Sequence, residues 1–346
     1  MATPTTAKAD MSDFDAKGAR RRLRSDGSVE LGQFALPYST FASSEARHTF
    51  ITQINPPPPE VDGKLLALRA HYEKQNDRLA EQMLALFAVV VSEDRIGGVR
   101  VHRVAPATPR PENATRVLIC LHGGGFTWGA NSGALVEAIP IAAEMGVEVI
   151  AVDYRLGPEH RFPAASEDVA AVYRALLEQY APDAIGVYGC SAGAILTAQA
   201  VAWIAREGLP RPGAIAMLCG GGGELLGDST FLTPSLEGFD PVAGEPLKLS
   251  GLPYFAGAST DDPRVFPERH PDVLAQFPPT LLIAGGRDFA VSSVTDMHLK
   301  LDAAGVEARL YVFDGLWHAF QIFPDLPESR RVYRILAGFF DRQLAA

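Results

Sequence analysis

Three side chains in this sequence have the types and the order needed to cleave an acyl bond: Ser191, Asp288 and His318. A serine hydroxyl is a poor nucleophile at neutral pH. It needs a base within hydrogen-bond reach, and that base needs a partner to hold its tautomer. Ser191 stands at the centre of Gly189-Cys190-Ser191-Ala192-Gly193, after the apolar run Ile185-Gly186-Val187-Tyr188 and before a small-residue, helix-forming run from Ala194 to Ala205. That reads as strand, sharp turn, helix, with the serine at the apex and glycines where the turn leaves no room for side chains. Asp288 ends Gly285-Gly286-Arg287-Asp288, and His318 lies in Gly315-Leu316-Trp317-His318-Ala319-Phe320; each follows an apolar, strand-like run. We expect Ser191 to be the nucleophile, His318 the general base and then acid, and Asp288 the group that orients the imidazole. The developing oxyanion needs fixed donors. His122-Gly123-Gly124-Gly125-Phe126, directly after another such run, lets the backbone lie close to a ligand, and Ala192 adds an N–H at the start of its helix. Cys190 lies one position before the apex, where the turn does not expose a side chain.

These groups need a scaffold that brings them to one place. Apolar runs predict strands at Val99–Val104, Arg116–Leu121, Val147–Val152, Ile185–Tyr188, Ala214–Cys219, Thr280–Ala284 and Ala308–Phe313. Helical segments fall between most of them, at Ala134–Glu144, Ala165–Gln179, Ala192–Arg206 and Ser293–Ala304, with a last helix over about 328–343. Alternation of this kind implies an α/β fold with a mostly parallel sheet covered on both faces, whose carboxyl ends carry the site. Upstream, Ser43 or Ser44 can cap a short helix before Phe50, Ile51 and Ile54. Pro56 to Pro59 form a stiff spacer, and Val61 to Ala88 carries a helical stripe of Leu65, Leu68, Tyr72, Leu79, Met83 and Leu86, read as ordinary packing. Between Gly220 and Asp272 the alternation breaks, as it would at a lid. The expected organisation is an arm and cap over 1–95 and a catalytic domain over 96–346, with 220–270 as a cap insertion.

Composition narrows the function classes. The chain has 346 residues, 47% of them hydrophobic and 21% charged, enough for a large core. A net charge of −10, with no basic cluster beyond Arg20-Arg21-Arg22-Leu23-Arg24, argues against nucleic acid as a partner. Three cysteines do not make a disulfide framework and fit a reducing compartment. The first 30 residues hold no apolar segment of signal-peptide type, and no run reaches the roughly 18 apolar residues of a membrane span. The expectation is a cytoplasmic protein that does not enter a membrane.

Three blocks resemble the hormone-sensitive-lipase family of α/β-hydrolases, in its bacterial esterase branch: His122 to Phe126, Asp153-Tyr154-Arg155-Leu156-Gly157-Pro158-Glu159-His160-Arg161-Phe162-Pro163-Ala164-Ala165, and Gly189 to Gly193. With Asp288 and His318 the resemblance covers about 95–346. It implies the α/β-hydrolase fold with a helical cap, oxyanion donors at Gly124, Gly125 and Ala192, and a supporting role for His122 and the 153–164 segment. It implies neither cofactor nor metal, and a homodimer paired through the sheet edge and last helix. The chain departs from the family at Cys190 (usually Asp or Thr), at Ala194 (usually Gly), and at Ala290 and Ser292 (often Leu and Asp). The activity implied is hydrolysis of carboxylic esters with short or medium acyl groups, or of lactones, in a pocket lined by candidates Phe126, Trp128, Phe231, Phe239, Tyr254 and Phe255. The alternatives are amide cleavage or deacetylation by the same three residues, and a small-molecule receptor on this scaffold, a class that typically lacks the histidine.

Overall fold

The computed structural model describes residues 21–23, 25, 27, 29–31, 35–54, 65–237 and 248–345. The N-terminal 20 residues, the spacer Pro56 to Pro59, the first turn expected for the helix after it, and Phe239 lie outside the described residues. Residues 1–39 and 40–346 are two separate compact units. In the first, β1 (Arg21–Leu23) pairs antiparallel with β2 (Val29–Leu31).

The second unit is built on an eight-stranded sheet. Its strands are β3 (Val89–Ile96), β4 (Val99–Pro106), β5 (Val117–Leu121), β6 (Glu148–Val152), β7 (Ile185–Cys190), β8 (Ala214–Leu218), β9 (Thr280–Gly285) and β10 (Ala308–Phe313), in the order β10-β9-β8-β7-β5-β6-β4-β3. β4 runs antiparallel to β3 and β6, and every other pairing is parallel. All residues of β5, β7, β8 and β9 are buried, which explains why those strands read as continuous apolar runs. Seven strands match the sequence expectation to within a few residues at their ends.

β3 is the exception, because no strand was expected at Val89–Ile96. Its sequence turns charged after Val91, as suits an edge strand with one covered face. The available signal was Gly97-Gly98, which joins β3 to β4 with φ of +58° and +84°, the two-residue hairpin turn that needs positive φ at both positions.

The chain passes from β5 to β6 on one side, then crosses back to β7, β8, β9 and β10 on the other. Right-handed crossovers therefore put α3 (Ser132–Met145) on one face and α4 (Ala164–Leu176), α5 (Ala192–Arg206) and α8 (Val291–Ala303) on the opposite face. α9 (Pro327–Gln343) packs on α3, and α4 packs on α5. The reversal lies at β5 and its neighbour β7, the switch point at which an open α/β sheet forms its binding crevice. Between β8 and β9 the described residues hold α6 (Ser229–Leu232), α7 (Pro271–Leu274) and short 3-10 turns, but no strand.

Two upstream helices attach to this body. α1 (Ser44–Thr49) is capped by Ser43, whose Oγ accepts the Ala46 N–H at 3.0 Å and donates to Glu328 on α9 at 2.9 Å. α2 (Leu65–Leu86) packs on α3 and buries Ala80 and Met83, while Leu86 is half-exposed, so the apolar stripe ends a turn earlier than its spacing predicts. No helix among the described residues is long and apolar enough to cross a membrane.

Candidate active site

The turn at Ser191 is forced by close packing. A Cβ on Gly193 would stand 1.8 Å from the Leu121 carbonyl oxygen, and one on Gly189 would stand 2.4 Å from the same atom. Both glycines let the start of α5 press against the end of β5. Ser191 takes φ 56° and ψ −119°, a conformation rare for a residue with a Cβ, of the kind that costs about 1–3 kcal/mol and is held by its surroundings. Its N–H is fixed by the Leu218 carbonyl at 2.8 Å. Four other non-glycine residues among the described part of the body take positive φ. Phe126 and Asn131 lie in the connection after β5, Cys219 directly follows β8, and Ala319 follows His318.

The three candidate side chains meet. His318 Nε2 lies 2.9 Å from Ser191 Oγ, and His318 Nδ1 lies 2.8 Å from Asp288 Oδ1. Asp288 is fully buried at the turn after β9, and its Oδ1 also accepts the Ala290 N–H at 2.8 Å. A buried carboxylate acceptor favours the tautomer with a proton on Nδ1, which leaves Nε2 free to accept from the serine. Phe289 stacks on the imidazole with ring centroids 4.1 Å apart.

The glycine loop runs beside this relay. A Cβ on Gly123 would lie 3.4 Å from Ser191 Cβ, and Gly124 and Gly125 take φ of +111° and +57°. Among the described residues, the N–H groups of Gly124, Gly125 and Ala192 have no backbone acceptor. Several contacts hold the loop. His122 donates from Nδ1 to the Gly123 carbonyl at 2.7 Å and stacks on Tyr154, whose hydroxyl donates to the His122 carbonyl at 2.7 Å. Asp153 Oδ1 accepts the Asn131 N–H at 2.9 Å, and the Phe126 carbonyl accepts the Gly157 N–H at 2.7 Å. The arrangement can activate a hydroxyl, place it against a carbonyl carbon and offer N–H groups to the oxygen that becomes negative.

The family described as alpha/beta hydrolase fold matches residues 118–322, which is more than half of the chain and includes Ser191, Asp288 and His318. The chain belongs to that family. It is similar to the crystal structure of an esterase E25, with TM-score 0.80 and 29% identity over 92% of this chain and 99% of the other. It is also similar to an esterase from the bacterial hormone-sensitive lipase family, with TM-score 0.72 and 26% identity over 88% of this chain and all of that one. An ethyl acetate hydrolase of Pseudomonas putida is 30% identical over 236 residues, 64% of this chain and 70% of the relative. The hormone-sensitive-lipase resemblance drawn from the three sequence blocks therefore holds.

Within this hydrolase fold the aromatic candidates separate. Phe126, Tyr254 and Phe255 are buried together: Phe126 stacks on Tyr254 at 4.5 Å and meets Phe255 edge-on at 5.1 Å, while the Tyr254 hydroxyl accepts the Ala165 N–H at 3.0 Å. They form the packing beneath the glycine loop. Trp128 stacks on Tyr72 of α2 at 4.4 Å with the rings 2° from parallel, so the helical stripe reaches the loop itself. Phe231 is half-exposed on α6.

Arg69 of α2 completes that attachment. It donates to the Thr127 and Gly157 carbonyls at 2.7 and 2.8 Å and pairs bidentately with Glu159, holding that carboxyl down at about 2. Arg69→Ala is expected to destabilise the protein by about 1.5–3 kcal/mol, the range for hydrogen bonds made by a charged group, measured by urea unfolding. An unchanged midpoint would mean that the helix is held without Arg69.

Two carboxyl groups escaped the sequence reading because nothing in their local sequence marks them. Glu237 is buried, and its Oε1 accepts the His318 N–H at 3.3 Å. Burial, followed by the nearby Asp288 charge, pushes this carboxyl well up. Glu137 on α3 accepts the Gly123 N–H at 2.9 Å, and burial raises it to about 8 against the pull of N–H donors from Gly123 and Cys190. It joins the glycine loop to the elbow from below. A carboxyl raised in the folded state contributes stability that is fully present below its unfolded value near 4.5 and is lost as pH rises through about 8. The slope approaches 1.4 kcal/mol per pH unit at its steepest, by an order-of-magnitude conversion. Glu137→Gln keeps an acceptor for Gly123 and removes the titration. Its melting temperature is expected to change less than wild type's between pH 5 and about 9. Parallel curves would show that Glu137 does not titrate in that window.

Proposed function

We propose that this chain is a serine carboxylesterase that hydrolyses esters of short to medium acyl chain, or lactones, through an acyl-enzyme. The observation that carries the reading is the continuous relay from Ser191 Oγ through both nitrogens of His318 to buried Asp288, at 2.9 and 2.8 Å. Ser191 Oγ attacks the ester carbonyl carbon as its proton passes to Nε2, and the Asp288 carboxylate stabilises the imidazolium. The N–H groups of Gly124, Gly125 and Ala192 receive the oxyanion. Collapse of the tetrahedral adduct takes the Nε2 proton to the leaving alkoxide and leaves an acyl group on Ser191. Water, deprotonated by the same imidazole, then releases the acid. An intact relay favours catalysis over a receptor role. The bound on acyl length follows from α2 and the 220–270 insertion acting as a cap. The Pseudomonas putida relative, called an ethyl acetate hydrolase, supports the short end of the range.

The test is a ladder of nitrophenyl esters from acetate to long acyl chains, with fluorophosphonate labelling mapped by mass spectrometry. Turnover that falls at long chains, with the label on Ser191, is the expected result; a label elsewhere, or turnover confined to amides, would reject it. Burial pushes the Cys190 thiol well up and keeps it protonated, so Cys190→Ser is expected to retain most of the activity.

A further inference from the structure

Two buried sulfurs lie beneath the relay, and the proposed reaction uses neither. Cys190 Sγ and Cys219 Sγ are 3.2 Å apart, at the ends of adjacent strands β7 and β8. Cys219 Sγ, a carboxylate oxygen of Asp288 and a ring nitrogen of His318 all lie within 4.8 Å of one another. Asp288 Oδ2 is buried and has no hydrogen-bond partner among the described residues. A thiolate, an imidazole and a carboxylate, with a second sulfur alongside, form the donor set that a d10 cation takes. Zn–S contacts of about 2.3 Å and Zn–N or Zn–O contacts of about 2.0–2.2 Å put tetrahedral ligand atoms roughly 3.3–3.8 Å apart. The Asp288–His318 contact would open by less than about 1 Å, and Cys219 would move inward by up to about 1–1.5 Å.

We propose that Cys219, Asp288 and His318, with Cys190 as the neighbouring sulfur, form an inhibitory site for a thiophilic divalent cation such as Zn²⁺ or Cd²⁺. Ions reach it past His318, whose side chain is 16% exposed. On binding, the Cys219 thiol loses its proton to solvent, and the imidazole proton moves from Nδ1 to Nε2. Nε2 then donates and can no longer accept the Ser191 proton, so the relay stops. Chelation of the metal restores the Nδ1–H tautomer and the activity. The inhibitory effect rests on the reading of His318 as the base, whereas metal binding does not.

The experiment titrates metal-free enzyme with Zn²⁺ and with Cd²⁺. It follows nitrophenyl acetate turnover and, separately, the ultraviolet thiolate-to-Cd²⁺ charge-transfer band. Each variant is scaled to its own metal-free rate. We expect stoichiometric growth of the band, inhibition reversed by EDTA, and at least a tenfold rise in the inhibiting concentration with a weaker band in Cys219→Ala. Cys219→Gly is a second variant whose backbone suits φ 56° at this position. Equal sensitivity in folded Cys219 variants, or no thiolate band in wild type, would overturn the site. A Cys219-dependent band without loss of turnover would leave a thiolate metal site standing and overturn its inhibitory action through His318.

Discussion

Ser191→Ala is expected to lower kcat/KM on nitrophenyl esters by about 10⁴–10⁶-fold, the range seen when the nucleophile is removed from a relay that acts as a unit. The side chain lost is small and its Cβ remains, so the replacement keeps the elbow's φ of 56° and its contacts. Stability should therefore stay within about 1 kcal/mol of wild type, and the kinetic effect can be read without a folding correction. The residual rate would come from the N–H groups beside the apex acting on water-borne attack. Fluorophosphonate labelling should vanish with the activity. A folded Ser191→Ala protein that keeps wild-type turnover would remove this serine from the chemistry altogether.

Gly124→Ala tests the other half of the site. At φ +111° an alanine is strained whatever the space around it, and here its Cβ would stand 2.1 Å from the Trp128 carbonyl oxygen and 2.9 Å from Trp128 Cδ1. Trp128 has little freedom to yield because its ring is stacked against Tyr72 at 4.4 Å. The loop must shift, and the donors aimed beside Ser191 shift with it. Loss of one such donor costs about 10²–10³ in kcat, with KM changing far less, since the donors act on the charge that develops after binding. Gly125→Ala supplies the contrast. Its Cβ would have 3.8 Å to the nearest atom, the Trp128 ring, so only the strain of φ +57° opposes it and a smaller loss is expected. Steady-state kinetics on nitrophenyl acetate separate the two. If Gly124→Ala keeps kcat within a few-fold of wild type while folded, the loop is not the source of oxyanion stabilisation.

The elements that deliver chemistry were legible because each carries a local signal. β5, β7, β8 and β9 are buried throughout, so they read as unbroken apolar runs, and α5 runs over Ala192–Arg206 as its small residues indicate. β3 was missed because its apolar residues, Val89 to Val91 and Ile96, are split by four polar ones, and an edge strand takes the rest of its identity from its neighbour.

By itself the sequence determined the strand-turn-helix at Ser191, the glycine loop after β5, the order of serine, aspartate and histidine, and through them the family. These are local properties: a glycine is required where no side chain fits, and an apolar run is required where both faces are covered. Only the tertiary structure decided which groups come to stand against them. Glu137 under the loop, Glu237 at the His318 amide, Arg69 on the loop carbonyls and the Cys190–Cys219 pair join residues 14, 81, 58 and 29 positions apart in the chain. Contacts across such separations arise from how strands are ordered and helices packed, and leave no periodicity for a linear reading to find. The same holds for Phe126, Tyr254 and Phe255. Their aromatic character marked them as lining for a pocket, and packing put them in the support beneath the loop, where their rings stack on and against one another.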